Sequence, residues 1–176
     1  METKHKMILI ILRNLSIAFI IGFLILLLKN PILYFVEFFF KVSEETQQLI
    51  NQYVSIRIYS APAELTIYVL AGMFLGLQKT NVSSLLISIF CFGNAILSSI
   101  LVTVYDLEIL GAALGTVISA YASVIIFLIY TYLTLKDKIS IRLNRSKIFN
   151  TKKLLTLFNI NFDIFIRTIF LSFSFL

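Results

Sequence analysis

Four long apolar runs limit most strongly how this chain can fold. They cover residues 7–28, 53–77, 82–104 and 109–133. A helix needs about 20 mostly apolar residues to cross the hydrocarbon core of a bilayer, and each run meets that length. The chain is 59% hydrophobic and only 14% charged, so a soluble domain could not cover its apolar surface. The sequence therefore predicts an all-α polytopic membrane protein whose solvent is the lipid bilayer.

The segments beside these runs divide the chain further. Residues 31–40 stay apolar beyond a proline and are predicted to extend or kink the first helix, or to lie at the membrane interface. Residues 41–52 are polar and are predicted to form a connector outside the membrane. A basic linker follows at 136–153, and a final apolar run occupies 154–176. The four spans thus lie within residues 1–135, and the basic stretch and the final apolar run follow them.

The positions of lysine and arginine predict one orientation throughout, because basic loops of membrane proteins stay on the cytoplasmic side. With the N-terminus inside, the basic tip, the loop at Lys79 and the segment 136–153 all fall in the cytoplasm, while both outer loops carry acids. The net charge of +6 is therefore interpreted as an anchor in the inner, cytoplasmic membrane. The basic segment lacks interleaved aromatic residues suited to base stacking, so nucleic acid is not an expected partner.

The chain is poor in residues for covalent or metal chemistry. It has one cysteine, Cys91, in an apolar run, and one histidine, His5, in the charged tip. A disulfide framework and a metal site both need more ligands than this. No nucleophile, base and orienting group converge in the sequence, so we expect neither an enzyme nor a cofactor.

Two pairs of glycines stand four residues apart within the apolar runs. They are Gly72 with Gly76, and Gly111 with Gly115. Glycine at this spacing leaves a groove on one face of a helix and lets a second helix approach closely. The pattern is common in apolar sequences, and we interpret all four glycines as helix-packing residues.

Polar residues inside the runs are candidates for a transport site. Asn94 and Ser98 are one helical turn apart on the third run, and Thr116 lies on the fourth. An amide cannot stay unpaired in hydrocarbon, so Asn94 must face protein or a water-filled cavity. A cavity for ions or solutes is one explanation, and hydrogen bonding between helices is the other. Spacing alone favours hydrogen bonding between helices.

Charged residues near the ends of runs allow two interpretations each. Glu64 is an ionisable residue within a span, which makes it a functional candidate, but Pro62 nearby also permits a hydrated position at the outer interface. Asp163 and Arg167 are four residues apart near the start of the last run. That spacing permits an ion pair on one helix face, or simply a solvated helix entrance.

Three stretches carry a resemblance to a known family. They read "YVSIRIYSAPAELTIYVLAGMFLGLQKT", "GNAILSSILVTVYDLEILGAALGTVISAYAS" and "NINFDIFIRT", in this order. Within them stand R-x-x-x-A-P-A, G-x-x-x-G-L-Q, G-A-A-L-x-T-V-I and N-x-D-I-x-x-R. Together they resemble the multidrug and toxic compound extrusion (MATE) transporters, most of all the branch named for DNA-damage-inducible protein F. The resemblance covers nearly the whole chain from the first run onward.

The resemblance implies an architecture larger than this chain. Family members have twelve helices in two six-helix lobes around a central cavity, and they exchange small organic cations or metabolites for protons or sodium. The chain is similar to helices three to six of the first lobe, with the basic linker between lobes and the start of helix seven. Asn94 and Thr116 match polar positions of the family, whereas Ser98 stands where this branch has an aspartate. Glu64 is not a usual family residue.

The sequence thus predicts a fragment of an ion-coupled multidrug efflux antiporter that is inactive alone. A second chain could supply the remaining helices, and the sequence does not decide whether one does. Two alternatives stay open. One is a nonfunctional or interaction-only membrane protein from a decayed gene, and the other is an exporter similar to the lipid-carrier flippases.

Overall fold

The computed structural model describes residues 2–39 and 42–135, together with Leu155 and Ile166. All regular structure in these residues is helical, and no strand occurs among them. Contacts divide the chain into two compact units, and the unit Leu15–Ile139 holds the features that bear on function. The predicted linker and final run, at 136–153 and 154–176, lie outside the described residues apart from the two single positions.

Within residues 2–39 and 42–135, six α-helices follow one another, with a short 3₁₀ turn at Ile58–Ser60. Their bounds are α1 Glu2–Leu27, α2 Lys29–Phe39, α3 Glu44–Arg57, α4 Ala61–Gly76, α5 Thr80–Thr103 and α6 Glu108–Leu135.

Four helical segments in the described residues are long and apolar enough to cross a membrane. They are Leu9–Leu27, Glu44–Gly76, Thr80–Thr103 and Glu108–Thr134. Many large apolar side chains on them are exposed, among them Phe19 at 65%. Such a surface is unfavourable in water and suits lipid. The prediction of an all-α polytopic membrane protein is confirmed.

The polar stretch before the second predicted span is helical from Glu44 onward. Helix α3 begins at Glu44, where the Ser43 hydroxyl accepts a hydrogen bond from the Thr46 amide. The acidic first turn also suits the positive end of the helix dipole. The helix tightens into the 3₁₀ turn just before Pro62, because proline has no amide hydrogen for the carbonyl one turn back.

Residues 31–39 likewise continue as helix α2 directly after α1. The amide of Leu28 bonds to the Leu24 carbonyl and that of Ile32 to the Leu28 carbonyl, both at 2.9 Å. The regular pattern is interrupted at Leu28, one turn before Pro31.

Two tight turns join α4, α5 and α6. At the end of α4, Gln78 adopts a left-handed backbone with φ of 57°, and the Lys79 amide bonds back to the Phe74 carbonyl at 2.9 Å. This is a Schellman-type helix end, which satisfies carbonyls that the helix leaves open. Between α5 and α6, Asp106 and Glu108 have φ of 51° and 44°. Aspartate tolerates this region better than most residues.

The core of the bundle lies among α4, α5 and α6. Phe74, Ile67 and Phe127 are fully buried, and the rings of Phe74 and Tyr130 are 5.5 Å apart. The buried Ser83 hydroxyl donates to the Ala71 carbonyl at 3.0 Å, which ties α5 to α4 without an unsatisfied polar group. Helices α5 and α6 form the most extensive contact of the bundle, and they carry the polar residues considered next.

Candidate functional site

Three polar side chains from α5 and α6 meet where these helices touch. The hydroxyl groups of Ser98 and Thr116 both donate to Asn94 Oδ1, at 2.9 and 3.1 Å. The Ala112 carbonyl oxygen lies 3.0 Å from Thr116 Oγ1 and 3.4 Å from Ser98 Oγ, so it offers each hydroxyl a second acceptor. Thr116 is only 6% exposed, and Asn94 and Ser98 are half-buried. We call Asn94, Ser98 and Thr116 the polar cluster.

The amide nitrogen of Asn94 is the unused part of this cluster. It makes no hydrogen bond with any described residue, and it is not sealed from its surroundings. An amide group offers two donors there, and in a bilayer such donors need a partner. The arrangement therefore combines a closed side, held by two hydroxyls, with an open side that can donate to water, a solute or another helix. The transport role of the three residues stays a prediction.

Glycine brings the two helices close enough to form the cluster. A Cβ atom placed on Gly115 would lie 2.7 Å from Ser98 Cα, and one on Gly111 would lie 2.9 Å from the Leu101 carbonyl carbon. Real Cβ atoms do not come this close to a backbone, so both positions depend on glycine. Gly22 has the same role against Pro62, at 2.5 Å, and the sequence reasoning did not single it out.

Gly72 and Gly76 do not pack in this way within the described part of the chain. Apart from the adjoining backbone of α4 itself, no atom of a described residue lies within 4 Å of a Cβ built on either one. The reason is the orientation of α4, which buries the side of Ile67, Leu70 and Phe74 and leaves both glycines exposed. Close packing at these two positions is therefore absent among the residues described.

Glu64 has a partner that the sequence reasoning did not assign. Its Oε1 lies 2.6 Å from Arg57 Nη1, with the side chains 16% and 33% exposed. Arg57 also donates to the Ser60 hydroxyl, which in turn donates to the Arg57 carbonyl at 2.7 Å. The pair thus bridges the 3₁₀ turn between α3 and α4. A spacing of two helical turns between opposite charges was the available signal.

The predicted ion pair of the last apolar run falls outside the described part of the chain. Asp163 and Arg167 lie outside the described residues. Within the part that is described, no group of three or more His, Cys, Asp or Glu side chains is arranged to hold a metal ion. Cys91 is exposed on α5.

The polar cluster can bind but cannot carry a removable charge. Its groups are an amide and two hydroxyls, none of which ionises near neutral pH. Oxygen atoms and amide donors of this kind suit hydrogen-bonded solutes or a weakly coordinated cation. The described features define a class of protein, namely a polytopic helical membrane protein with a polar cluster between two closely packed spans.

Comparison with known proteins agrees with that class and narrows it. The chain is 30% identical to multidrug export protein MepA of Staphylococcus aureus (strain NCTC 8325) over 132 residues, which are 74% of this chain and 28% of that protein. It is 33% identical to DNA damage-inducible protein F of Escherichia coli (strain K12) over 126 residues, 72% of this chain and 28% of that protein. These two relatives support assignment of the chain to a family similar to the MATE transporters and DNA damage-inducible protein F.

The matched regions cover little more than a quarter of these two relatives. No family model matches the chain. No solved structure matches it either.

Proposed function

We propose that this chain is part of an exporter that moves small organic cations or metabolites across the cytoplasmic membrane in exchange for protons or sodium. The observation that carries the proposal is the polar cluster, in which Ser98 and Thr116 orient Asn94 between two apolar helices. The name of the staphylococcal relative supports multidrug export. Because the match spans 28% of each relative, the proposed exporter includes further helices outside the matched region.

The polar cluster supports a binding role because the amide nitrogen of Asn94 is not used by the hydrogen bonds within the cluster. Two hydroxyls hold the amide of Asn94 in one orientation, so its nitrogen can present donors without rotating. Such preorganisation lowers the entropy that is lost when a solute binds. A polar group at this depth in an apolar helix is by default a functional candidate.

Ion coupling by this chain alone is not part of the proposal. A coupling group must bind its ion differently in two conformations, since a ligand shifts an equilibrium only by its differential affinity. Ser98 cannot lose a proton, and Glu64 is already held by Arg57. We therefore propose that gradient-driven efflux requires an acid outside the polar cluster, and that the chain expressed alone does not perform it.

The test is a chimera. The segment of the staphylococcal exporter that matches this chain is replaced by the corresponding residues, and dye efflux is measured in energised vesicles. We expect efflux that falls strongly in Asn94→Ala and Thr116→Val and that is unchanged in Ser99→Ala, a neighbouring exposed position on α5. Full efflux by the Asn94→Ala chimera would remove the polar cluster from transport. Gradient-dependent efflux by the chain alone, lost in Glu64→Gln, would make Glu64 the coupling residue.

A further inference from the structure

An apolar groove of about 460 Å³ runs between α1, α4 and α6, away from the polar cluster. Its walls include Phe19 and Leu26 of α1, Ala63 of α4, and Val124 and Leu128 of α6. The volume is within the range of about 300–1,000 Å³ that is usual for sites that bind small molecules. The groove is therefore large enough for a ligand and not merely a packing gap.

The polar atoms beside the groove are already satisfied. Thr66 lines it, but its hydroxyl donates to the Pro62 carbonyl at 2.8 Å. Tyr121 also lines it, and its hydroxyl donates to the Tyr59 carbonyl at 3.0 Å. A polar solute would lose hydrogen bonds with water here and gain few in return. The lining selects an apolar occupant.

The groove is open along its length. Phe19 is 65% exposed and Leu128 is 43% exposed, so the walls are not covered by other described residues. Both helices are long and apolar enough to cross a membrane, so the opening faces the hydrocarbon of the bilayer. A flexible chain can enter it sideways from the lipid.

A positive charge lies beside the groove without lining it: Lys29 stands over Tyr59, whose carbonyl accepts a hydrogen bond from the lining residue Tyr121. Lys29 follows Leu26 by one helical turn, and its ammonium nitrogen lies 5.1 Å from the ring centroid of Tyr59. Tyr59 in turn precedes Pro62, another lining residue, by one turn. Lys29 forms no ion pair with any residue that the structure describes. A cation held over an aromatic ring, without an acidic partner, can bind an anion.

We propose that the groove binds one acyl chain of a membrane phospholipid, with the lipid phosphate at Lys29. A phospholipid fits better than a neutral hydrocarbon, because its negatively charged phosphate can pair with the positively charged Lys29 beside the groove. An ammonium has three donors, and the contact with the Tyr59 ring uses none of them as a hydrogen bond to an acid. The bound lipid fills the space among α1, α4 and α6.

The natural chain contains no tryptophan, which allows a single-tryptophan test. Phe19→Trp reports from the groove, and Ile125→Trp, at an α6 position that is 59% exposed, reports from the general surface. The full chain in detergent is titrated with phosphatidylglycerol that carries brominated acyl chains, which quench nearby tryptophan. We expect the Phe19→Trp signal to saturate near one lipid per chain. The Ile125→Trp signal should instead follow the bulk lipid content of the micelle.

Adding Lys29→Gln to Phe19→Trp should raise the lipid concentration at half-quenching about fivefold, since one lysine near a lipid head group contributes about 1 kcal/mol. Lys79→Gln, on an exposed loop, serves as the matched control and should change nothing. Identical titrations for the two tryptophan positions would overturn the proposal. A Phe19→Trp signal shielded from both lipid and aqueous quenchers would also overturn it, because a protein helix would then cover the groove.

Discussion

Gly115 sets how closely α5 and α6 approach and therefore whether the polar cluster can form. The backbone of Ser98 lies directly opposite it, in the space that any side chain would occupy. Gly72, like Gly115, lies in an apolar helix with a second glycine four residues away. Unlike Gly115, it has open space where a side chain would be. The two positions thus separate the packing effect of glycine from its effect on helix propensity.

Alanine at these positions should act in opposite directions. Gly72→Ala should stabilise the chain by about 0.5–1 kcal/mol, because alanine loses less backbone entropy than glycine in a helix. Gly115→Ala should destabilise it by about 1–3 kcal/mol, because the new methyl group meets the Ser98 backbone. Unfolding in mixed detergent measures both. Equal effects at the two positions would show that α5 and α6 do not touch as described.

The hydrogen bond between Asn94 and Thr116 should appear as a coupling energy. Asn94→Ala, Thr116→Val and the double variant form a double-mutant cycle. We expect a coupling of about 0.6 kcal/mol, the average for hydrogen bonds between membrane helices. Unfolding free energies in the same detergent give the value. Strict additivity of the two changes would mean that the bond is absent in the membrane-like state.

At the scale of elements, the 3₁₀ turn at Ile58–Ser60 is the clearest irregularity in the bundle. It joins α3 and α4 within one helical segment of 33 residues, and the Arg57–Glu64 pair spans it. An ion pair that is mostly removed from solvent helps to fix the geometry of such a junction when further hydrogen bonds accompany it. The bond from Arg57 to Ser60 supplies one.

Neutralising only one residue of the Arg57–Glu64 pair should destabilise the protein more, per substitution, than neutralising both. Arg57→Gln or Glu64→Gln should each lower the unfolding free energy by roughly 1–3 kcal/mol, between the values for exposed and buried pairs. The double variant should recover part of that loss because no unpaired charge remains. Thermal unfolding of the three variants in detergent measures the effect. A double variant that is as unstable as the sum of both singles would argue against the pair.

The main elements could be predicted from the sequence because apolar runs of membrane length have few alternatives. The helical nature of residues 44–52 could not be predicted from polarity, since the Ser43 cap and the acidic first turn act locally and do not depend on apolar character. The face shared by Asn94 and Ser98 followed from helical spacing. The sequence could not predict the hydrogen-bond partners of the hydroxyls or the glycines that pack against another helix. Both depend on how whole helices are rotated against each other.

At the scale of the whole molecule, the charge pattern predicts that α5 runs outward and α6 returns. The basic loop at Lys79 and the acidic turn at Asp106 stand at opposite ends of α5. A helix of 24 residues is about 36 Å long, which exceeds the hydrocarbon thickness of about 30 Å. Both ends therefore reach water.

Cysteine labelling tests this orientation. In a Cys91→Ser background, Glu45→Cys and Asp106→Cys should react with a membrane-impermeant reagent added outside the cell. Asn81→Cys, in the first turn of α5, should react only after the membrane is opened, because this end of α5 is predicted to be cytoplasmic. All three positions are exposed, so access to the side chain itself does not limit the reaction. The reverse pattern would invert the topology and the proposed direction of export.

The bond between Asn94 and Thr116 also bears on how the chain enters a membrane during synthesis. Thr116 follows Asn94 by 22 residues, with a short turn between their helices. The ribosome therefore synthesises Thr116 soon after Asn94. Alone in the translocon, α5 would meet lipid with the Ser98–Asn94 bond inside its own helix but without the hydrogen bond from Thr116. If α5 and α6 were released together as a hairpin, the Thr116 bond would form before either helix met lipid alone, and the polar cluster would favour insertion of the two helices as a pair.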